Sequence, residues 1–192
     1  MKNVKRLAVY CGSAPGNDPL FADATRATAA AMVGRGVDLV YGGGRLGLMG
    51  LVPDSVLELG GKVYGVIPAA LVDLEVAHTG VTELFHVANM HERKAKMTDL
   101  ADAFIALPGG IGTLDELFEA WSWNALGYHA KPFCLLNVGG FWDGMIEFID
   151  HATESGFLSA SRRRQLLVAS TPEEALNLLD EAAARATQGM VW

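Results

Sequence analysis

Residues 103–116 read AFIALPGGIGTLDE. An apolar run ends in a proline and three glycines and then passes into a segment of helical character, which is the order of strand, tight turn and helix. Short, continuously apolar runs are typical of parallel strands that are buried on both faces. This stretch therefore predicts a β-α unit whose glycines lie where the strand meets the helix.

The same order recurs along the chain. Apolar runs at 6–11, 37–42, 62–67, 103–108, 132–138 and 166–170 predict strands, and segments at 20–35, 48–59, 90–100, 113–126, 141–155 and after Pro172 predict helices. The last helix carries the signature of a cap, with Thr171 before it and Glu174 three positions later. This alternation predicts an α/β fold, a doubly wound, Rossmann-like, mainly parallel sheet with helices on both faces, in a single domain spanning residues 1–192.

Composition excludes several classes of protein. The 192 residues are 51% apolar and carry a net charge of −7, so the chain has no basic footprint for nucleic acid. No apolar run approaches the ~20 residues of a membrane span, and the first run is shorter than the apolar core of a secretion signal. We expect a cytoplasmic protein in which Cys11 and Cys134 are reduced and buried.

Glycine-rich turns follow the first four predicted strands. Ligands of doubly wound sheets bind outside the carboxyl ends of the strands, where these turns would lie side by side. Two of the turns lead directly into helices, whose free N–H groups and dipoles favour an anion. The sequence therefore predicts a phosphorylated small molecule held by residues of these turns: Ser13, Gly43, Gly44, Gly109, Gly110 and Gly112.

One of these turns matches the dinucleotide fingerprint G-x-G-x-x-G through Gly42, Gly44 and Gly47. The acidic residue that binds the ribose of NAD is missing, because Ile67 and Pro68 stand at the end of the next strand. Tight turns without a ligand would produce the same glycines. We therefore predict no dinucleotide and no other cofactor.

The segment NMHERKAKM, residues 89–97, has two interpretations. Glu92 and Lys96 at i,i+4 are typical of a solvated helix face. His91 and Glu92 open a zinc-protease motif, but Ala95 stands where its second histidine belongs. We predict no metal site here, and the chain has no G-x-S-x-G nucleophile motif.

Glu116 closes the glycine-rich stretch and also has two interpretations. Thr113 and Glu116 match the capping box S/T-x-x-E, in which the threonine caps the helix and the glutamate reaches back to the N–H group of the capping residue. A carboxylate beside a phosphate-binding loop is equally suited to catalysis. Spacing alone does not separate a cap from a catalyst.

PGGIGTLDE and MHERKAKM, with YGGGRLGLMG upstream, together resemble the Lonely Guy family of cytokinin-activating phosphoribohydrolases. The resemblance covers nearly the whole chain, from Cys11 to the helix after Pro172. It implies hydrolysis of the N-glycosidic bond of a nucleoside 5′-monophosphate to free base and ribose 5-phosphate, without a cofactor. It also implies that Arg93 and Glu116 are the catalytic pair.

The resemblance extends to substrate contacts and assembly. By position, the contacts would be Glu75, Lys94, Gly110, Ile111, Gly112, Thr113, Leu114, Asp115 and Ser122. It also implies a homodimer whose active sites lie near the subunit contact. The base requires a pocket with apolar walls, to which Trp121 or Trp123 could belong, although aromatic residues at this spacing are typical of a core or an interface.

Three other functions remain open at this point. A general nucleoside 5′-monophosphate nucleosidase acting on AMP would use the same residues. Relatives of this fold that carry molybdenum cofactor bind without turnover, and possession of both Arg93 and Glu116 argues against that role. Members of the family have also been labelled lysine decarboxylases, but no lysine here stands in a context typical of a pyridoxal phosphate Schiff base.

Overall fold

The computed structural model of the protein describes residues 4–72 and 76–188. Its described strands form one parallel sheet in the order β4-β3-β2-β1-β5-β6-β7. The strands are β1 Arg6–Tyr10, β2 Asp38–Tyr41, β3 Val63–Pro68, β4 Glu83–Val87, β5 Ala103–Ala106, β6 Phe133–Leu136 and β7 Leu166–Ala169.

Helices cover both faces of this sheet, which confirms the predicted doubly wound α/β fold. They are α1 Pro19–Gly34, α2 Gly47–Glu58, α3 Met90–Leu100, α4 Ile111–Ala125, α5 Asp143–Glu154, α6 Ala160–Arg163 and α7 Pro172–Gln188, with single 3₁₀ turns at Ala69–Leu71 and Val138–Gly140. Alternate residues of β1 face different layers. Leu7 and Val9 pack with α1, α2 and α7, whereas Ala8 and Tyr10 pack with α3, α4 and α5.

The sequence missed strand β4. Its residues, ELFHV, include the exposed Glu83 and His86, and the others are only partly buried, because β4 is an edge strand paired with β3 alone. The continuous apolar run by which the other strands were recognised requires burial on both faces. Strand β4 lacks that signal, whereas β7 at the other edge keeps an apolar run, with Leu166 and Ala169 buried.

Side-chain caps define the starts of helices α3 and α7. At α3, the Asn89 Oδ1 atom accepts from the Glu92 N–H group at 2.9 Å, and the Glu92 carboxylate accepts from the Ala88 N–H group at 2.9 Å. Glu92 is exposed, as expected for a solvated helix face, and the Lys96 ammonium lies over the Phe85 ring. The predicted cap of α7 is confirmed, with the Glu174 N–H group donating to the Thr171 hydroxyl at 3.3 Å.

The winding direction of the sheet reverses between β1 and β5. Strands β2 to β4 extend the sheet on one side of β1, and β5 to β7 extend it on the other. The crossovers on the two sides diverge at this point, which leaves a crevice outside the carboxyl ends of β1 and β5. The turns after these two strands therefore form its walls.

Candidate active site

A cleft of about 340 Å³ occupies this crevice. We call it the central cleft. Its walls come from the turn after β1, the beginning of α4, and one face each of α2 and α3. The lining residues are Cys11, Gly12, Ser13, Met49, Met90, Arg93, Gly110, Ile111, Gly112, Thr113, Asp115 and Glu116. Both predicted catalytic residues, Arg93 from α3 and Glu116 from α4, therefore line the same cavity.

Arg93 lies one turn into α3 and is 3% exposed. Two methionine sulfurs flank its guanidinium, with Nη1 at 3.7 Å from Met90 Sδ and Nη2 at 3.8 Å from Met49 Sδ. The space for the guanidinium exists because residue 42 is glycine, since a Cβ atom there would collide with Arg93 Nη2. Buried arginine stays charged, so the cleft has a fixed positive charge in its wall.

Helix α4 begins earlier than the sequence predicted. Its N-cap is Gly110 and its first residue is Ile111, so Thr113 is the third helical residue. The capping-box interpretation of Thr113 and Glu116 was wrong, because the box positions fall on Gly110 and Thr113. Glu116 lies in the second turn of the helix, on the face that lines the central cleft.

The turns after β1 and β5 are in direct contact. The Gly12 N–H group donates to the Pro108 carbonyl at 3.1 Å, and a Cβ atom on Gly12 would lie 3.3 Å from Gly109 Cα. By contrast, a Cβ atom on Gly110 or Gly112 would meet no atom within 4 Å. Gly12 and Gly109 thus bring the two backbones together. Gly110 and Gly112 leave the N-terminal N–H groups of α4 accessible from the cleft.

Two ionisable groups at the end of β1 stay protonated: Cys11, which lines the central cleft, and Tyr10, which is buried in the core. Burial, with a smaller contribution from the Glu116 charge, raises the pKa of the Cys11 thiol. The pKa of Tyr10 is raised well above its ordinary value, first by burial and then by the charges of Glu116 and Glu119. A thiol with a raised pKa is a poor nucleophile, so the site is not suited to cysteine chemistry.

Lys94 does not line the central cleft. Its Nζ atom lies 3.2 Å from Asp115 Oδ2 and 3.0 Å from Glu119 Oε2, and its side chain is only 12% exposed. Glu119 was not singled out in the sequence, because a carboxylate in mid-helix has no local signature. Direct contact of Lys94 with substrate stays a prediction.

The other predicted contacts are distributed over several surroundings. Gly43 and Gly44 are buried and do not line the cleft, Gly43 with φ +82° and Gly44 in a bridge to Ala77. Leu114 packs against the core layer of α3, α4 and α5, whereas Ser13 lines the cleft. Glu75 lies outside the described residues.

Ser122, Trp121 and Trp123 lie away from the central cleft. Ser122 and Trp121 line a groove between α4 and α5, and Trp121 packs at 5.7 Å against the ring of Phe133. Trp123 makes an edge contact with Tyr128. The suggestion that a tryptophan forms a wall for the base was therefore wrong for this cleft, and the interpretation of these residues as core or interface is the better one.

An apolar recess of about 250 Å³ adjoins the central cleft and shares Gly12, Ser13 and Gly110 with it. Phe21, Leu48 and Phe141 supply its walls, with the two phenylalanine rings 5.5 Å apart in an edge contact. This recess has no signature in the sequence, since its walls come from α1, α2 and the turn after β6.

The described part of the chain contains no candidate membrane span and no candidate metal site. No helix there is long and apolar enough to span a membrane. Within residues 4–72 and 76–188, no group of three or more His, Cys, Asp or Glu side chains is placed to hold a metal ion. Both cysteines are free and buried, as predicted.

Comparison with known structures identifies the fold. The X-ray structure of the protein TM1055 is 27% identical, with a TM-score of 0.70 over 92% of this chain and 99% of its own. The molybdenum cofactor carrier protein of Chlamydomonas reinhardtii is 17% identical, with a TM-score of 0.69 over 93% of this chain and 98% of its own. At this identity the second match concerns the fold alone.

Sequence comparison identifies the family. A family model described as "possible lysine decarboxylase" matches residues 49–179. The probable cytokinin riboside 5′-monophosphate phosphoribohydrolase LOGL3 of Oryza sativa subsp. japonica is 47% identical over 98% of this chain and 90% of its own length. The cytokinin riboside 5′-monophosphate phosphoribohydrolase LOG2 of Arabidopsis thaliana is 46% identical over 92% of this chain and 83% of its own length. The chain therefore belongs to the LOG family, to which these phosphoribohydrolases give their name.

Proposed function

We propose that this protein hydrolyses the N-glycosidic bond of cytokinin riboside 5′-monophosphates, and of AMP, to release free base and ribose 5-phosphate. One observation carries the proposal: Arg93 and Glu116, from two separate motifs, line one cleft at the N-terminus of α4. Relatives at 46–48% identity named as phosphoribohydrolases support it.

The cleft offers a partner for each part of such a substrate. The 5′-phosphate would bind at the first turn of α4, where the backbone of Gly110, Ile111 and Gly112 is open to the cleft. Arg93 would hold phosphate or ribose oxygens through its planar fork of donors. Glu116 would then face the sugar.

Hydrolysis of this bond passes through an oxocarbenium-like transition state. The carboxylate of Glu116 would stabilise the positive charge that grows on the anomeric carbon and would orient or deprotonate the attacking water. The oxygen of water bonds to the anomeric carbon as the C–N bond breaks. The base leaves with the bonding electrons and takes up a proton.

The test is base release from AMP and from isopentenyladenosine monophosphate, resolved by chromatography. For Glu116→Gln we expect turnover to fall at least ~100-fold, because a positioned acid–base group contributes about that much or more. The melting temperature should shift by only a few degrees, since the change removes one charge and keeps the size of a single, partly buried side chain. Glu154→Gln, the same change at an exposed position near the end of α5, is the matched control.

Equal base release by Glu116→Gln and the wild type would contradict the catalytic role. The ratio of the two substrate rates separates cytokinin activation from general nucleotide salvage. The apolar recess beside the cleft favours a base with an apolar substituent, because each CH₂ buried there contributes roughly 0.8 kcal/mol.

The description of the family model raises decarboxylation as an alternative. Pyridoxal phosphate chemistry needs a lysine in the site. No lysine lines the central cleft within the described residues. The nearest, Lys94, is paired with two carboxylates, and the Lys131 ammonium donates to the Thr98 carbonyl. An absorbance scan of the purified protein for bound pyridoxal phosphate tests this alternative.

We also propose that the protein is a homodimer that uses the groove between α4 and α5 as its contact. The groove measures about 320 Å³ and exposes Phe118 and Phe148. Ser122 lies in it, about 9 Å along α4 from Glu116 by helix geometry, so its predicted contact would be with substrate in the second subunit. Light scattering of the wild type and of Phe148→Glu tests this, and a fully active monomer would contradict a shared site.

A further inference from the structure

The ion cluster around Lys94 joins the two helices that carry the catalytic pair. Lys94 follows Arg93 directly on α3, and its Nζ atom lies 3.0 Å from Glu119 Oε2 and 3.2 Å from Asp115 Oδ2. Glu119 lies one turn beyond Glu116 on α4. A single lysine thus contacts the helix of Glu116 on both sides of the catalytic carboxylate.

The contact to Glu119 is the better shielded of the two. The side chains of Lys94 and Glu119 are 12% and 21% exposed, whereas that of Asp115 is 57% exposed. Exposed ion pairs contribute little, but removal of one partner from a shielded pair leaves the other charge desolvated. Glu119 should therefore matter more to Lys94 than Asp115 does.

Lys94 stays charged in this position. Burial alone would lower the pKa of the ammonium, but the hydrogen bonds and charges of Glu119 and Asp115 more than offset it, and the pKa is raised. An ammonium group has three donors, and the carboxylates of Glu119 and Asp115 occupy two of them. Little of it is left for a substrate oxygen.

The position of the pair in the fold explains why a link is needed there. Helix α3 packs over β2, β3 and β4, helix α4 packs over β5 and β6, and both reach β1. The crevice of the doubly wound sheet opens between them at that strand. The Lys94–Glu119 pair spans this crevice next to the cleft.

We propose that Glu119 is a positioning residue, which holds Lys94 and thereby fixes α3 at the distance from α4 at which Arg93 and Glu116 face the same substrate. This inference rests on the proposed hydrolase function. It differs from the prediction that Lys94 contacts substrate directly, because it assigns the effect of Lys94 to its partner on the neighbouring helix.

Steady-state kinetics of Lys94→Met, Glu119→Gln and the double variant test the proposal. Misplacement of a catalytic group by about 1 Å can cost up to ~100-fold in rate, so we expect kcat to fall roughly tenfold or more in each single variant, with KM within about twofold. The double variant should be no slower than either single variant, since both remove the same link. Exchange of the charges, Lys94→Glu with Glu119→Lys, should restore kcat to within about threefold of the wild type by the same logic.

Asp150→Asn is the matched control. It breaks the Arg163–Asp150 ion pair, which joins α5 to α6 away from the cleft. The control should keep the wild-type kcat, which would show that loss of an interhelical ion pair does not by itself slow the reaction. The melting temperatures of both variants are measured, and kcat is compared well below the lower of them, which separates positioning from general destabilisation. Asp115→Asn should change kcat less than Glu119→Gln does.

Three outcomes would overturn the positioning role of Glu119: an effect on KM confined to Lys94→Met, additive losses in the double variant, or an unchanged kcat in Glu119→Gln. Base release by the wild type is measured first, since its absence would defeat the proposed function instead. In that case the same variants are compared through their dissociation constants for AMP. Equally weakened AMP binding in both single variants and the double variant then supports the positioning role of Glu119. Weakened binding in Lys94→Met alone, or in none of the variants, overturns it.

Discussion

The two most glycine-rich turns of the molecule serve different physical needs. In the turn after β2, Gly42 leaves room for the Arg93 guanidinium, and Gly43 at φ +82° packs against Ile67 and Leu84. In the turn after β5, Gly110 and Gly112 have open space where a side chain would be. The first turn is glycine-rich because protein atoms approach it closely. The second is crowded at Gly109 but open towards the cleft at Gly110 and, in the first turn of α4, at Gly112.

This difference shows that a run of glycines predicts a close approach without predicting what approaches. Glycine permits both a crowded backbone and an accessible one, because it lacks Cβ in either case. Substitution by alanine separates the two, since the added methyl group must either displace protein atoms or occupy the cleft.

The largest effect is expected for Gly42→Ala. The new Cβ would collide with Arg93 Nη2 and lie 3.2 Å from Met49 Sδ, so the guanidinium must move. Base release should fall about 100-fold, the cost of a catalytic group displaced by ~1 Å. Initial rates with AMP measure this, and Gly34→Ala at the exposed end of α1, where a Cβ meets nothing within 4 Å, is the control. A wild-type rate in Gly42→Ala would show that the position of Arg93 is not critical.

A smaller effect, on stability, is expected for Gly109→Ala. The Cβ atom would collide with Thr113 Oγ1 and lie 2.8 Å from the Gly12 nitrogen, which forces the turns after β1 and β5 apart. Overpacking of this kind lowers the free energy of unfolding by about 1–3 kcal/mol. Urea unfolding measures it against Gly144→Ala in α5, which meets no atom within 4 Å. Equal midpoints for the two variants would mean that the two turns are not in firm contact.

The smallest effect, with opposite signs for stability and binding, is expected for Gly112→Ala. A Cβ atom there meets nothing within 4 Å in the second position of α4, so alanine should raise the free energy of unfolding by up to about 0.5–1 kcal/mol. If phosphate binds over this turn, the same methyl group should raise KM for AMP a few-fold. A raised melting temperature with an unchanged KM would place the phosphate elsewhere.

The sequence predicted most of the fold because the doubly wound sheet depends on local signals. Buried strands are recognised by apolar runs, and helix starts by caps such as Thr171 before α7. Strand β4 was missed because the exposed Glu83 and His86 interrupt its apolar run, and the start of α4 was misplaced by a capping-box pattern at Thr113. In both cases the local pattern was compatible with two structures.

The candidate site was predicted in part. Arg93 and Glu116 were named from two motifs, and the structure brings them to one cleft. The methionines beside Arg93, the phenylalanines of the recess and the Lys94–Glu119 pair were not foreseen, because each joins residues from different crossovers. Ser122 was assigned to the ligand from the resemblance, and it lines the groove between α4 and α5 with Trp121. Trp121 and Trp123 were weighed as walls of the base pocket and as core or interface, and the second interpretation is the better one.

By itself, the sequence determined the α/β alternation, the family and the two catalytic candidates, because periodicity and motifs are properties of short segments. Only the tertiary structure decided that Glu116 lies beyond the cap of α4, that Gly42 leaves space for the Arg93 guanidinium, and that Lys94 forms an ion pair with Glu119. These outcomes depend on how far apart α3 and α4 lie across the crevice at β1. That distance is set by the packing of the whole sheet, which no single segment of the chain encodes.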